Sequence, residues 1–213
     1  MTKTSTTLIV LLGAAAGLSG CTSAVVIESD FPTPLVERLP VRMGLMFDPE
    51  LRNFIHAETL PPKSTWTIDL GDANISLLEP LFSSMFESTR DVDSLPLGSG
   101  EGDLDGVIRS ELDRFEFDVP VGQRDAFVEV WLQYKFTIYE PNGDVVAEWP
   151  VTGYGKSELM RNQEDAVRRA AIVAMREAGA TISTQFATQP DISYWLQERE
   201  NATALSADRR SAN

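Results

Sequence analysis

The chain has 213 residues, of which 32 are acidic and 18 are Lys or Arg, and its formal net charge is −14 at pH 7. A surface this acidic lacks the basic footprint of a nucleic-acid-binding protein and is repelled by anionic lipid headgroups. The single cysteine excludes a disulfide within the chain. We therefore expect a domain whose hydrophobic core supplies its stability, with no nucleic-acid partner.

The first twenty residues divide into the parts of a secretory signal peptide. Lys3 precedes an apolar run, Leu8–Leu12, that three alanines continue. This run is too short to cross about 30 Å of hydrocarbon as a helix. We expect residues 1–20 to be removed. They contain one base and no acid, so the net charge of −14 becomes −15 in the mature chain.

Leu18-Ser19-Gly20-Cys21 resembles the bacterial lipobox. The resemblance implies that a diacylglyceryl group joins the Cys21 sulfur and that cleavage makes Cys21 the first, acylated residue. Two or three acyl chains hold a protein on a membrane durably. The alternative, a plain secretory signal before a chance cysteine, leaves a reactive thiol in an oxidising compartment. Thr22 stands where enteric-type lipoproteins retained at the inner membrane have aspartate, which implies the periplasmic face of the outer membrane.

The first half of the mature chain predicts a tether, four strands and a helix. Several prolines interrupt residues 21–37, so an extended, lipid-anchored tether is expected there. Apolar residues spaced by three and four predict a helix near 75–89, with Pro80 in its first turn or at a kink. The predicted strands are Val41–Phe47, a hairpin of Phe54–Thr59 with Thr65–Leu70, and a short strand at Arg90–Ser94.

The second half shows the strongest strand pattern. Val128 to Ile138 alternates between apolar and polar residues, which predicts one buried and one wetter face. The preceding strand, Val107–Val119, changes phase near Asp113, which predicts a bulge. A turn at Pro141–Asp144 leads into a strand from Val145 that Gly153 and Gly155 are expected to end, and Pro150 places that strand near a sheet edge.

A long helix is predicted over Gln163–Gln189, capped by Asn162 and broken by Pro190. Its alanine-rich stripe should let it lie close against a sheet. A short helical segment, Asp191–Arg199, is expected within a C-terminal tail of residues 191–213 whose last dozen residues are predicted to be disordered.

These elements predict an α+β fold with a single domain over residues 38–190. A mostly antiparallel sheet should be covered on one face by two main helices, near 75–89 and 163–189.

Nothing in the sequence indicates a catalytic site, a metal site or a cofactor. His56 is the only histidine and belongs to a predicted strand. Asp91 and Asp93 have no base or nucleophile near them in sequence, although a carboxylate-based hydrolase stays open. The acids Glu101, Asp103 and Asp105 lack EF-hand spacing and fit a solvated, mobile loop better than a calcium site.

Exposed aromatic residues are the remaining functional signal. Trp131 falls on the polar face of the best strand, and Tyr194 and Trp195 lie in the C-terminal segment. They either pack against loops or form a docking surface for an envelope protein partner, since aromatic side chains dominate interface energetics.

The order of the lipobox, early strand, first helix, strand pair Val128–Tyr139 and Val145–Tyr154, and long helix resembles small proteobacterial outer-membrane lipoproteins. These include YajG-like lipoproteins and the auxiliary lipoproteins of ABC-type lipid transport. The resemblance implies helices on one side of a sheet and no enzyme activity. Two functions stay open: a docking or accessory subunit of an envelope transport or assembly system, and a binder of a small or lipidic ligand between sheet and helices.

Replacing Cys21 tests the anchor. In Cys21→Ala the sulfur that forms the thioether is gone, so lipidation and lipoprotein-specific cleavage should fail. The acidic body offers no second membrane signal, and we expect a retained signal peptide or soluble protein. Cell fractionation followed by immunoblotting measures the outcome. A variant that stayed in the outer-membrane pellet at wild-type size and amount would contradict the anchor.

Overall fold

The computed structural model describes residues 21–61, 63–98, 103–122 and 126–211, without the side chains of Cys21 and residues 203–211. The predicted signal peptide and Glu101 lie outside the described residues. The strands are β1 (Cys21–Val26), β2 (Leu39–Phe47), β3 (Ile55–Leu60), β4 (Ser64–Asp69), β5 (Phe86–Asp91), β6 (Gly106–Asp118), β7 (Phe127–Tyr139) and β8 (Val145–Glu158). The helices are α1 (Pro49–Arg52), α2 (Gly71–Met85), α3 (Gln163–Gln185) and α4 (Pro190–Ser211), with one 3-10 turn, Phe186–Thr188.

Five strands form the main sheet in the order β5-β2-β6-β7-β8. The α+β class is confirmed, and the sheet is mixed rather than purely antiparallel. β6, β7 and β8 pair antiparallel, whereas β2 is parallel to both β5 and β6. The chain between β2 and β5 passes through β3, β4 and α2, which provides the long crossover that parallel neighbours need.

A second sheet of three strands has the order β1-β4-β3. β3 and β4 are the predicted hairpin, and β1 joins β4 in parallel, from Cys21 beside Ser64 to Val26 beside Asp69. The expectation of a tether over residues 21–37 is therefore wrong for its first six residues. Val25 of β1 and Ile27 just after it are buried, so β1 packs against the core of the domain.

Helix α3 lies unusually close to β8. A Cβ atom added to Gly155 would sit 1.9 Å from the Ala170 carbonyl oxygen, and one on Gly153 would sit 2.1 Å from that of Ala174. Such distances leave room only for glycine. These two glycines therefore continue β8 under the helix instead of ending it, and the strand runs on to Glu158.

The helices α2 and α3 cover one face of the main sheet, as expected. Phe82 of α2 packs edge-on against Phe136 of β7, with ring centroids 5.7 Å apart. The alternation of β7 is confirmed, with Val130, Leu132 and Tyr134 buried on this face. The expected bulge is confirmed by the register shift between Leu112 and Arg114.

Helix boundaries differ from expectation at several points. α2 begins at Gly71, whose N–H donates a hydrogen bond to Asp69 Oδ1 at 3.0 Å. Pro80 lies in the interior of this helix. α2 ends at Met85 because Phe86 turns into β5, where its ring stays buried against Phe186. Asn162 caps α3 as predicted, accepting from the Asp165 N–H. α4 is one helix to Ser211, which corrects the short segment and disordered end expected there.

A buried polar pair joins α2 to the sheet. The Tyr134 hydroxyl donates to Asn74 Oδ1 at 2.7 Å, and Asn74 Nδ2 donates to the Leu51 carbonyl at 3.2 Å. Burial raises the pKa of Tyr134 far above its ordinary value, so the hydroxyl keeps its proton and acts as a donor.

Arginine at Ala174 tests the close helix–sheet contact. Ala174 is fully buried, so Ala174→Arg would place an unpaired charge in the core and should cost about 3 kcal/mol or more of unfolding free energy. Ala180→Arg, at an exposed site on the same helix, is the matched control. Equal melting temperatures for the two variants would contradict this packing.

Candidate functional surfaces

Cys21, the predicted lipidation site, is the first residue of β1. Two residues further along β1, Ser23 Oγ donates a 2.8 Å hydrogen bond to Glu164 Oε1 near the start of α3. Arg168, one turn further along α3, donates to the Val26 carbonyl at 3.1 Å. β1 is thus held along its length by α3 as well as by β4. The predicted lipidation site therefore belongs to a fixed strand and not to a free linker.

The face of the main sheet turned away from α2 and α3 carries three aromatic residues on β7 and β8. We call Phe127, Trp131 and Tyr154 the aromatic patch; their exposed fractions are 44%, 36% and 37%. Trp131 and Tyr154 are cross-strand partners with ring centroids 5.4 Å apart. Because both rings stand on paired strands, the patch is held rigidly. Trp131 therefore lies where the alternation of β7 predicted it.

Charged groups surround the aromatic patch. The Tyr154 hydroxyl donates to Glu129 Oε1 at 2.9 Å, and this carboxylate raises the pKa of Tyr154 above its usual value. Lys156 Nζ lies 3.4 Å from the same oxygen and 4.3 Å from the centre of the Phe127 ring, a cation–π distance. Apolar rings bordered by fixed charges are the composition of a protein-docking surface.

The structure separates the two C-terminal aromatics that the sequence placed together. Tyr194 is 65% exposed, and a hydrogen bond to Glu198 raises its pKa. Trp195 is only 3% exposed, so its inclusion in a docking surface is wrong. Its indole packs over Gly106, where a Cβ atom would lie 2.9 Å from the ring, and its Nε1 donates to Glu140 Oε1 at 2.9 Å. Helix α4 therefore directs Trp195 into the core and Tyr194 toward solvent.

Sequence reasoning missed an arginine on the same outer face. Arg109 Nε donates to Asp48 Oδ2 at 2.8 Å, and this bond raises the pKa of Arg109 above its ordinary value. Two open clefts, of about 390 and 410 Å³, meet at this pair. The alternation of β6 could have shown that Arg109 points away from the core. Its partner is 61 positions away and could not be found locally.

Three of the acids considered for chemistry form ion pairs. Asp103 binds Arg90 at 2.5 Å, Asp105 binds Arg42 at 3.2 Å, and Asp91 lies 3.8 Å from Arg52. Within the described residues, no group of three or more His, Cys, Asp or Glu is arranged to hold a metal ion.

His56 Nε2 lies 3.1 Å from Glu58 Oε2, and the centroid of the His56 ring lies 5.2 Å from that of Phe115. It thus packs as a strand residue. In the part of the chain that the structure describes, no helix is both long enough and apolar enough to cross a bilayer.

The space between sheet and helices, where the ligand-binding alternative needs a cavity, is filled by aromatic rings. The ring centroids of Phe86 and Phe186 lie 5.3 Å apart, and those of Trp149 and Phe186 lie 6.2 Å apart. Toward β8 the α3 backbone touches the two glycines described above. This packing places side chains where a lipid would have to lie.

No protein-family model and no curated protein matches the chain. Solved structures similar to it include a DUF330 protein from Xanthomonas campestris, with 13% identity, a TM-score of 0.49, and coverage of 86% of this chain and 99% of the other. A neuraminyllactose-binding hemagglutinin homolog from Helicobacter pylori has 10% identity, a TM-score of 0.47, and coverage of 80% and 97%. A minor lipoprotein from Acinetobacter baumannii has 9% identity, a TM-score of 0.40, and coverage of 69% and 92%. At these identities and TM-scores, the likenesses assign no function to this chain.

The neighbours Tyr194 and Trp195 provide a test of which C-terminal aromatic is available at the surface. Trp195→Ala should lower the free energy of unfolding by about 3–5 kcal/mol, because it empties a buried site. Tyr194→Ala should change it by no more than about 0.5 kcal/mol. Denaturant melts of both variants measure the difference. A Trp195→Ala protein as stable as Tyr194→Ala would contradict the burial of the indole.

Proposed function

We propose that this protein is a lipid-anchored, non-enzymatic component of the bacterial cell envelope. It sits on the periplasmic face of the outer membrane, held by acyl chains on Cys21. There it docks a protein partner of a transport or assembly system through the aromatic patch. The observation that carries the docking role is the pair Trp131 and Tyr154, exposed on a sheet face that α2 and α3 leave uncovered.

The lipobox-like Leu18–Cys21 supports the anchor. A mature net charge of −15 gives the body little electrostatic affinity for anionic lipid, so attachment depends on the acyl chains. The position of Thr22 favours the outer membrane over the inner one.

The geometry of the patch supports docking more than ligand binding. Aromatic side chains on a rigid sheet give large contact area at low entropic cost, and Lys156 and Glu129 beside them can fix orientation. The filled space between helices and sheet disfavours the alternative of an internal lipidic ligand. A non-enzymatic role fits the ion-paired state of Asp91, Asp103 and Asp105.

Photo-crosslinking in cells tests the docking surface. A photoreactive amino acid in place of Trp131 should give one dominant crosslinked envelope protein, identified by mass spectrometry. The same amino acid at Val173, which is 44% exposed on α3, is the matched control and should not give that product. Both variants must fractionate with the outer membrane for the comparison to hold.

The crosslink should also depend on the neighbouring ring. With the photoreactive residue at Trp131, Tyr154→Ala should reduce the product severalfold, because the patch loses the ring across from position 131. Equal products from positions 131 and 173, or none from position 131, would contradict docking through this face. Lipid that co-purifies with the delipidated domain in native mass spectrometry would favour the ligand-binding alternative.

A further inference from the structure

The position of Cys21 has a geometric consequence for the whole domain. Cys21 is paired with Ser64 in the small sheet, so its backbone belongs to the fold. Any acyl group on its sulfur begins within a few bonds of β1. If Cys21 is lipidated, as the proposed function requires, the domain has no linker that would let it tumble freely above the bilayer.

Several chain segments meet at the end of the domain where β1 begins. Ser23 reaches Glu164, which places Cys21 beside the start of α3. The Leu159 N–H donates to the Ala126 carbonyl at 2.8 Å, which joins the end of β8 to the start of β7. The rings of Trp66 and Phe117 lie 5.6 Å apart, so the β3–β4 turn lies near the end of β6. We call the described residues 60–61, 63–64, 119–122 and 159–162, together with Cys21, the Cys21 end.

The Cys21 end differs in composition from the rest of this acidic protein. By sequence, the three turns carry more bases than acids, with Lys63, Arg124 and Arg161 against Asp125. Acids do lie just behind them, in Asp118 and Glu158 at the strand ends and in Glu164 and Asp165 at the start of α3. It also presents exposed apolar side chains, Val121 at 67% and Met160 at 65%.

The opposite end of the main sheet has the reverse character. The β7–β8 turn holds Glu140 and Asp144, and the segment before β6 holds Asp103 and Asp105. Residues 103–105 and 140–144 contain no base. Arg42, Arg90 and Arg199 of other elements pair with three of these acids.

From this asymmetry we infer that the Cys21 end is a membrane-contact surface. The domain stands directly on the bilayer to which its acyl chains belong, with Val121 and Met160 in the headgroup region and Lys63 and Arg161 beside lipid phosphates. Since surface charges are screened over about 8 Å, the outermost turns set the interaction with lipid, and these turns are basic and apolar. The acidic turns then face the periplasm. This inference rests on the proposed anchor and extends it to a fixed orientation.

The chain allows a clean labelling experiment because Cys21 is its only cysteine and the thioether blocks it in the mature lipoprotein. Val121→Cys, Met160→Cys and the control Asn142→Cys, in the exposed β7–β8 turn, can each be labelled with an environment-sensitive fluorophore. The purified lipoproteins are reconstituted in vesicles of phosphatidylethanolamine and phosphatidylglycerol. A nitroxide-bearing lipid then quenches labels at the bilayer surface.

Quenching should be roughly threefold or more stronger at positions 121 and 160 than at 142. Lys63→Glu combined with Arg161→Glu should reduce it at position 160 in these vesicles and much less in uncharged phosphatidylcholine vesicles. Acylated protein with equal quenching at the three positions would overturn the orientation and leave the anchor intact. A mature mass without acyl chains would overturn both.

Discussion

The close approach of α3 to β8 is the constraint on which the rest of the structure depends. Gly153 and Gly155 lie against the carbonyl groups of Ala174 and Ala170, so the helix axis is fixed at backbone contact distance. From that position Glu164 and Arg168 reach β1 and hold the strand that starts at Cys21. The glycines of one edge strand thus help to determine where Cys21 lies in the domain.

The elements that could be predicted are those whose pattern is local. β7 alternates between core and solvent over its whole length, and its partner β8 follows a turn in which Gly143 takes a φ of 95°. The cap at Asn162 and the alanine stripe of α3 were also visible, because each depends on residues three or four positions apart. Trp131 was placed correctly for the same reason.

What could not be predicted depends on distant partners. The parallel pairing of β2 with β5 and β6 leaves no signature in any one strand. β1 is short, and only its contact with β4 and α3 makes it a strand. Trp195 and Tyr194 are neighbours with similar chemistry, and only the space above Gly106 decides which is buried. The Arg109–Asp48 pair joins residues that no helical or strand period relates.

Strand β8 is an edge of the main sheet, and the unpaired backbone groups of an edge strand can pair with a strand of another chain. Two of its outward-facing backbone positions offer no free N–H donor. Pro150 has no N–H group to offer, and the Tyr154 N–H, which points outward on the same side of the strand, is occupied by the Glu177 carboxylate of α3. Copies of the chain held in one leaflet by the proposed anchor would often meet edge to edge. The two missing donors at β8 would weaken pairing between such edges, while a partner could still lie flat on the open face.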